Sequence, residues 1–144
     1  MQQGEKANYT GRKFHKHVEN YLSKEGHLCE KPPKYEAIWG TGKKSNQADI
    51  YVRKNNTIIE CKYQKVPGTA DQKAAMELWN AKQRINCDHY ILVLGGEHWT
   101  APRGASICSS MKNMAKTLNA SISVHSGAKK VSVMTIEEFE KGGI

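Results

Sequence analysis

Two neighbouring segments of the sequence carry acidic and basic residues at a spacing suited to hydrolytic chemistry. Residues 48–53 and 57–63 are runs in which apolar and polar residues alternate, and a lysine and two asparagines separate them. Asparagine tolerates the positive φ that a tight turn requires, so the two runs predict a β-hairpin. This hairpin would bring Asp49, Glu60 and Lys62 together on its polar face.

The turn determines which residues meet across the hairpin. A two-residue turn at Asn55-Asn56 sets Asp49 opposite Lys62 and Tyr51 opposite Glu60, so that Asp49 and Glu60 become diagonal neighbours, about 7–8 Å apart at Cα. A turn of another length would shift this register. The opposite face is predicted to pack on the core, because its residues are apolar: Ala48, Ile50, Val52, Ile59, Cys61 and Tyr63.

Two carboxylates at this distance can share one hard divalent cation through their oxygens. Such a cation polarises a phosphate group and lowers the pKa of a bound water. Lys62 could orient or deprotonate that water, or neutralise the charge of the transition state. The alternative is an exposed hairpin with a cross-strand Asp–Lys pair, which contributes little to stability.

The hairpin resembles that of the PD-(D/E)xK nuclease superfamily, through Asp49 on one strand and Glu60-Cys61-Lys62 on the next. Gln64 extends the match to a Glu-Cys-Lys-Tyr-Gln form that recurs in this superfamily. Residues 68–73 (GTADQK) are similar to a stretch that follows the catalytic lysine in many type II restriction enzymes. The resemblance covers roughly residues 11–95.

The resemblance implies a ligand set and catalytic roles. Asp49, Glu60 and the Cys61 carbonyl would bind Mg²⁺, with Mn²⁺ as a substitute. Lys62 would serve the attacking water, and Gln64 would belong to the same catalytic group.

The sequence departs from the superfamily pattern at two places. Ala48 stands where the motif has proline. The first helix of the superfamily often supplies a glutamate toward the metal, whereas here His15 occupies that position and Glu19 follows one turn later on the same helix face. Which of the two reaches the site is open, and a solvated helix face is the alternative.

The elements around the hairpin predict an α/β fold with a restriction-endonuclease-like, mixed central β-sheet flanked by helices, in the order αβββαβαβα. Residues 1–10 are predicted to be a flexible N-terminus and residues 11–144 a single nuclease domain. Trp39 and Trp79 are predicted to lie in the core. Outside the hairpin, the pattern predicts helices over 11–24, 69–85, 106–118 and 136–141, and strands over 35–39, 89–94 and 131–134.

The charge balance indicates a polyanionic partner. The 144 residues include 22 Lys and Arg against 14 Asp and Glu, a net charge of +8. Such a basic excess in a small domain favours nucleic acid. Lys43, Lys44 and Lys73 are the candidate contacts to the DNA backbone. The four cysteines lack metal-ligand spacing and are expected to be reduced thiols.

Together these features predict a Mg²⁺-dependent DNA endonuclease, most simply a restriction-type homodimer with two active sites. A Holliday junction resolvase or another structure-specific repair nuclease, a nuclease toxin domain and a non-catalytic DNA-binding module are the alternatives, and RNA as substrate stays open. We expect a cytoplasmic protein, because the sequence has neither a secretion signal nor a membrane-length apolar run. We also expect no nucleotide cofactor, because there is no phosphate-binding G-x-x-x-x-G-K-[ST] motif.

Overall fold

The structure, a computed structural model, describes residues 3–38, 42–68, 70–121, 127–142 and 144. Two short 3₁₀ helices, Arg53–Asn55 and Glu97–Thr100, accompany the main elements. In chain order, these elements are α1 (Gln3–Lys24), β1 (Ile50–Val52), β2 (Thr57–Tyr63), α2 (Ala70–Arg84), β3 (His89–Gly95), α3 (Pro102–Ala120), β4 (Lys130–Thr135) and α4 (Ile136–Glu140).

The four strands form one mixed sheet in the order β1-β2-β3-β4. β1 is antiparallel to β2, whereas β2, β3 and β4 run parallel. Strands inside such a sheet are covered on both faces, which explains why residues Tyr90 to Leu94 of β3 form a continuous apolar run and are all buried. The predicted fold class, a central mixed sheet flanked by helices, is confirmed.

Each face of the sheet is covered by its own set of helices. Phe14, Val18 and Leu22 of α1 are spaced four residues apart, so they pack together against one face. On the other face, Ala74 and Leu78 of α2 join residues of α3 in the larger core cluster. The hairpin of β1 and β2 therefore lies between two apolar layers, and no broad polar face of it is open to solvent among the described residues.

One predicted strand is absent from the part of the chain that the structure covers. Tyr35 forms only an isolated bridge with Asn46, so the order of elements is αββαβαβα. The backbone N–H of Ile38 donates to the side-chain oxygen of Asn80 on α2, at 2.6 Å, in place of a strand ladder. Trp39, predicted to lie in the core, falls outside the described residues.

Two further predictions about helices need correction. α1 begins at Gln3, eight residues before Gly11. The flexibility of residues 1–10 stays a prediction. Trp79 is 45% exposed, so its placement in the core was wrong. Successive helix residues are turned by about 100°, and because Leu78 faces the sheet, Trp79 points away from it.

All four cysteines are free thiols. Among the described helices, none combines the length and the hydropathy needed to cross a lipid bilayer.

Candidate active site

The turn between β1 and β2 is longer than the sequence analysis predicted. A 3₁₀ turn, Arg53–Asn55, leads into Asn56, which has a left-handed φ of 47°. The first ladder pair beyond the turn is Val52 with Thr57, followed inward by Tyr51 with Ile58 and then Ile50 with Ile59. The predicted two-residue turn and the pairing of Asp49 with Lys62 were therefore wrong.

The longer turn shifts the pairing register by two residues. Each strand residue therefore has a different partner across the hairpin but stays on the predicted face of the sheet. Tyr51 is opposite Ile58, and the same register continued by one residue sets Asp49 beside Glu60. Asp49 is held there by the next strand, because its Oδ2 accepts the backbone N–H of Cys61 at 2.8 Å. The two acids are thus direct neighbours instead of diagonal ones.

Ala48 lies just outside β1 and breaks the predicted alternation. It packs in the cluster of α2 and α3, whereas Ile50 packs in the cluster of α1. The prediction that both residues share one core face was wrong, because the chain leaves the regular strand before Ile50.

Glu60 is only 9% exposed, since α2 covers its side of the sheet. Burial, the hydrogen bond with Asp49 and the negative charge of Glu77 together raise the pKa of Glu60. The sequence analysis predicted an open polar face around Glu60, whereas in the structure Glu60 is buried and contacts Asp49.

Lys62 points toward α2. Its Nζ lies 2.6 Å from Oε1 of Glu77, and the two side chains are 25% and 17% exposed. Burial acts to lower the pKa of Lys62, but the charge and hydrogen bond of Glu77 outweigh it, so the pKa is raised. Burial raises the pKa of Glu77, although Lys62 opposes this shift.

Sequence reasoning missed Glu77. It lies three residues after buried Ala74 and next to buried Leu78, at the border of the face that packs on the sheet. A charged residue at the border of a buried helix face was the available signal. Its other oxygen, Oε2, is buried without a hydrogen-bond partner among the described residues.

We call Asp49, Glu60, Lys62 and Glu77 the acidic cluster. Three carboxylates and one ammonium leave a net charge of minus two when all are ionised. A buried surplus of negative charge is costly unless a cation or a proton balances it. Among the described residues, no three His, Cys, Asp or Glu side chains converge as a ready-made metal site.

The oxygens present nevertheless fit a hard divalent cation. Mg²⁺ in proteins is usually held by one or two carboxylates and keeps several waters, so a third protein side chain is not required. The N–H of Cys61 points toward Asp49. In an extended strand the N–H and C=O of one residue point to the same side, so the Cys61 carbonyl is directed to the same edge. The thiol of Cys61 packs against the α1 cluster, and burial raises its pKa.

The first helix brings His15 to the cluster. Its Nδ1 lies 3.8 Å from Oδ1 of Asp49, and its Nε2 lies 2.6 Å from Oε1 of Glu19. His15 is therefore the residue of α1 that approaches the acids, and Glu19 contacts the far side of its ring.

Gln64 lies just beyond β2 and outside the acidic cluster. Its side-chain amide donates to the carbonyl of Val66. Its backbone N–H donates to Gly95 at 2.9 Å, and its carbonyl accepts from His98 at 3.1 Å. These contacts fix the turn after β2, and a catalytic role for Gln64 stays a prediction.

The candidate DNA-binding lysines are all exposed. Lys43 and Lys44 lie in the segment before Asp49, and Lys73 lies in the first turn of α2. Lys73 is one turn before Glu77, and its positive charge helps to stabilise that carboxylate. Thr69, just before α2, lies outside the described residues.

Comparison with known proteins gives one match. A family model described as the PD-(D/E)XK nuclease superfamily domain matches residues 6–141. This range begins within α1, ends just after α4 and includes every member of the acidic cluster. Searches of curated proteins and of solved structures find no match.

Proposed function

The chain belongs to the PD-(D/E)XK nuclease superfamily, and from this premise we propose that it is a metal-dependent endonuclease that hydrolyses phosphodiester bonds in DNA. The observation that supports this most strongly is the contact of Asp49 with Glu60 beside Lys62, within a cluster of surplus negative charge. These are the groups that metal-assisted hydrolysis of a phosphodiester requires.

Asp49, Glu60 and the Cys61 carbonyl would hold Mg²⁺, and Mn²⁺ takes the same oxygen ligands. The bound cation would polarise the phosphate and lower the pKa of a coordinated water. The backbone N–H of Cys61 donates to Oδ2 of Asp49 and holds this carboxylate in place. His15 lies close to the other carboxylate oxygen, Oδ1. The chain thereby holds its ligands in place before substrate arrives, which reduces the cost of reorganisation during the reaction.

Lys62 is best suited to neutralise charge on the phosphate. Its ion pair with Glu77 favours the ammonium form. An ammonium donates hydrogen bonds and accepts none, so it stabilises the oxygens on which negative charge grows. Glu77 keeps this ammonium close to the acids and limits its rotation.

The net charge of +8 supports a nucleic acid substrate. Lys43, Lys44 and Lys73 would contact phosphates, which position a duplex without reading its sequence. We propose a restriction-type intracellular enzyme that acts as a homodimer, because two sites related by a twofold axis can cut both strands. A Holliday junction resolvase or similar structure-specific nuclease is the second candidate, since the domain is small and the helix α1 precedes the hairpin.

A cleavage assay on a mixed substrate set tests the proposal. The set holds linear duplex, supercoiled plasmid, four-way junction, single-stranded DNA and RNA, each with Mg²⁺, with Mn²⁺ and with EDTA. Lys62→Ala is compared with Lys116→Ala, a matched change at an exposed position on α3. We expect cation-dependent cutting by the native protein and the Lys116 variant, and loss of cutting in the Lys62 variant.

The substrate that is cut decides between the candidates. Discrete duplex fragments support the restriction-type enzyme, and selective cutting of the junction supports the resolvase. If only RNA is cut, the proposal of a DNA substrate is wrong. If nothing is cut while duplex is retarded in a gel, the chain is a non-catalytic DNA-binding module.

A further inference from the structure

A cavity of about 450 Å³ lies on the face of the sheet that α2 covers. The segment that precedes β1, the start of β2 and the end of α2 enclose it. Its floor is apolar, formed by Tyr35, Ile58 and Ile85, all of which are buried. An apolar floor of this kind can accept an aromatic ring.

The rim of the cavity is basic. Lys34 and Lys44 come from the segment before β1, and Arg84 is the last residue of α2. All three side chains belong to exposed residues, and Glu36 is the acidic residue on the same rim. The rim therefore carries a net charge of plus two, beside a floor without charge. Arginine and lysine together at a rim are suited to a phosphate group.

The cavity adjoins the acidic cluster. Ile58 and Glu60 are two residues apart on β2, so they point to the same face and lie about 6.6 Å apart along the strand. Tyr35 lines the cavity, and burial and the negative charges of Glu77 and Glu60 raise its pKa to about 12. A ligand that contacts Ile58 in the cavity would thus lie two residues along β2 from Glu60, a proposed ligand of the cation.

The wall of the cavity is fixed before any ligand binds. Tyr35 and Asn46 exchange two backbone hydrogen bonds, of 2.7 and 3.1 Å. Asn80 of α2 holds the segment through the N–H of Ile38, and its amide also donates to Met76 at 3.2 Å. A preformed site of this size, with an apolar floor and polar groups at its rim, is suited to a small ligand.

We propose that this cavity is a subsite for one nucleotide of the strand that is cleaved, with the base on the apolar floor and a phosphate between Lys44 and Arg84. The inference rests on the proposed nuclease function, which it extends by a defined point of substrate contact. A single nucleotide held here would set the register of the strand relative to Asp49 and Glu60.

Equilibrium binding in EDTA tests the subsite without cleavage. The probes are a short fluorescein-labelled duplex and its labelled single strand, followed by fluorescence anisotropy at several salt concentrations. The variants are the double change Lys44→Ala with Arg84→Ala, and Asn86→Trp, which places a large ring at an exposed residue that lines the cavity. Arg103→Ala, at an exposed position on α3, is the control for the loss of one charge outside the cavity. Circular dichroism and thermal melting verify that each variant folds.

Both cavity variants are expected to weaken binding of a probe about tenfold or more, and the double variant to lower the salt dependence by about one to two charges. Arg103→Ala is expected to weaken binding less than about threefold. Equal effects of the cavity variants and Arg103→Ala would overturn the subsite, and so would absence of binding by the native protein. If the native protein binds and never cleaves while the cavity variants weaken binding, the proposed function fails and the cavity stands as a nucleotide-binding site. If the native protein cleaves and the cavity variants bind the probes as well as it does, the subsite fails and the proposed function stands.

Discussion

Replacement of Glu60 by glutamine is expected to stabilise the cation-free protein at neutral pH. The Glu60 carboxyl is 9% exposed, contacts Asp49 and lies near the charge of Glu77. Burial, that hydrogen bond and that charge raise its pKa. Glutamine has nearly the same shape, carries no charge, and can donate a hydrogen bond to Asp49 as a protonated carboxyl does.

The size of the effect follows from this burial. One unit of pKa shift corresponds to about 1.36 kcal/mol, and fully buried carboxyl groups shift by up to roughly 3–5 units. Lys62 offsets part of the cost in this cluster. We therefore expect Glu60→Gln to add about 1–3 kcal/mol to the free energy of unfolding, which raises Tm by roughly 3–10 °C for a chain of this size.

The same change should remove a pH dependence. Because the pKa of Glu60 is raised in the folded state, the folded protein retains a proton that the unfolded chain releases. The stability linked to Glu60 is thus fully present below the ordinary pKa of a glutamate and is lost as the pH rises through the raised pKa. In Glu60→Gln, the free energy of unfolding should therefore vary less with pH between the ordinary pKa of a glutamate and the raised pKa of Glu60.

Thermal denaturation in EDTA between about pH 4 and pH 9 measures both effects. Glu97→Gln, an exposed acid in the turn after β3, is the control and should alter stability by less than about 0.5 kcal/mol. Addition of Mg²⁺ should stabilise the native protein more than the Glu60 variant, since the cation binds the folded state. A lower Tm for Glu60→Gln at neutral pH, or an unchanged pH slope, would refute the reasoning.

Three further substitutions test Glu77 of the acidic cluster and the backbone at two glycines. Glu77→Gln should lower the single-turnover cleavage rate about tenfold, with little change in DNA affinity, because Lys62 loses the carboxylate that holds it at 2.6 Å; an unchanged rate would show that Lys62 needs no positioning. Gly96→Ala should destabilise the protein by about 3 kcal/mol or more in urea denaturation, since Gly96 has a φ of 103° and a Cβ there would lie 2.2 Å from the Gln64 carbonyl oxygen. Gly11→Ala, within α1 and with open space around it, should instead add roughly 0.5–1 kcal/mol; equal effects of the two glycine changes would contradict this account.

The sequence predicted the elements whose pattern is local. The continuous apolar run of β3 marked a buried strand because both of its faces are covered. The four-residue spacing of Phe14, Val18 and Leu22 identified α1 as a helix with one buried face. The acids and the lysine of the hairpin were identified by residue type and alternation, which survive a shift of register by two residues.

The exact pairing across the hairpin could not be predicted, because it depends on the turn. Arg53, Lys54 and Asn55 form a 3₁₀ turn, a conformation for which these residue types give no distinct signal. A two-residue turn and this longer turn fit the same alternating strands.

Long-range packing decided the remaining features of the site. Glu77 is separated from Lys62 by the whole loop before α2, and they meet only because α2 packs on the face of the sheet to which Lys62 points. His15 and Glu19 lie on one face of α1, and only the packing of that helix on the sheet brings His15 near Asp49.

The most direct test of the central claim is the rate of plasmid cleavage as Mg²⁺ is titrated, for the native protein and for Asp49→Asn. The asparagine keeps the shape of the side chain and can still accept the Cys61 N–H, but it removes one anionic ligand of the proposed cation. The account predicts saturable, Mg²⁺-dependent cleavage by the native protein, no cleavage in EDTA, and a loss of at least about a hundredfold in the variant. Cleavage that persists in EDTA, or equal rates for the two folded proteins, would contradict it.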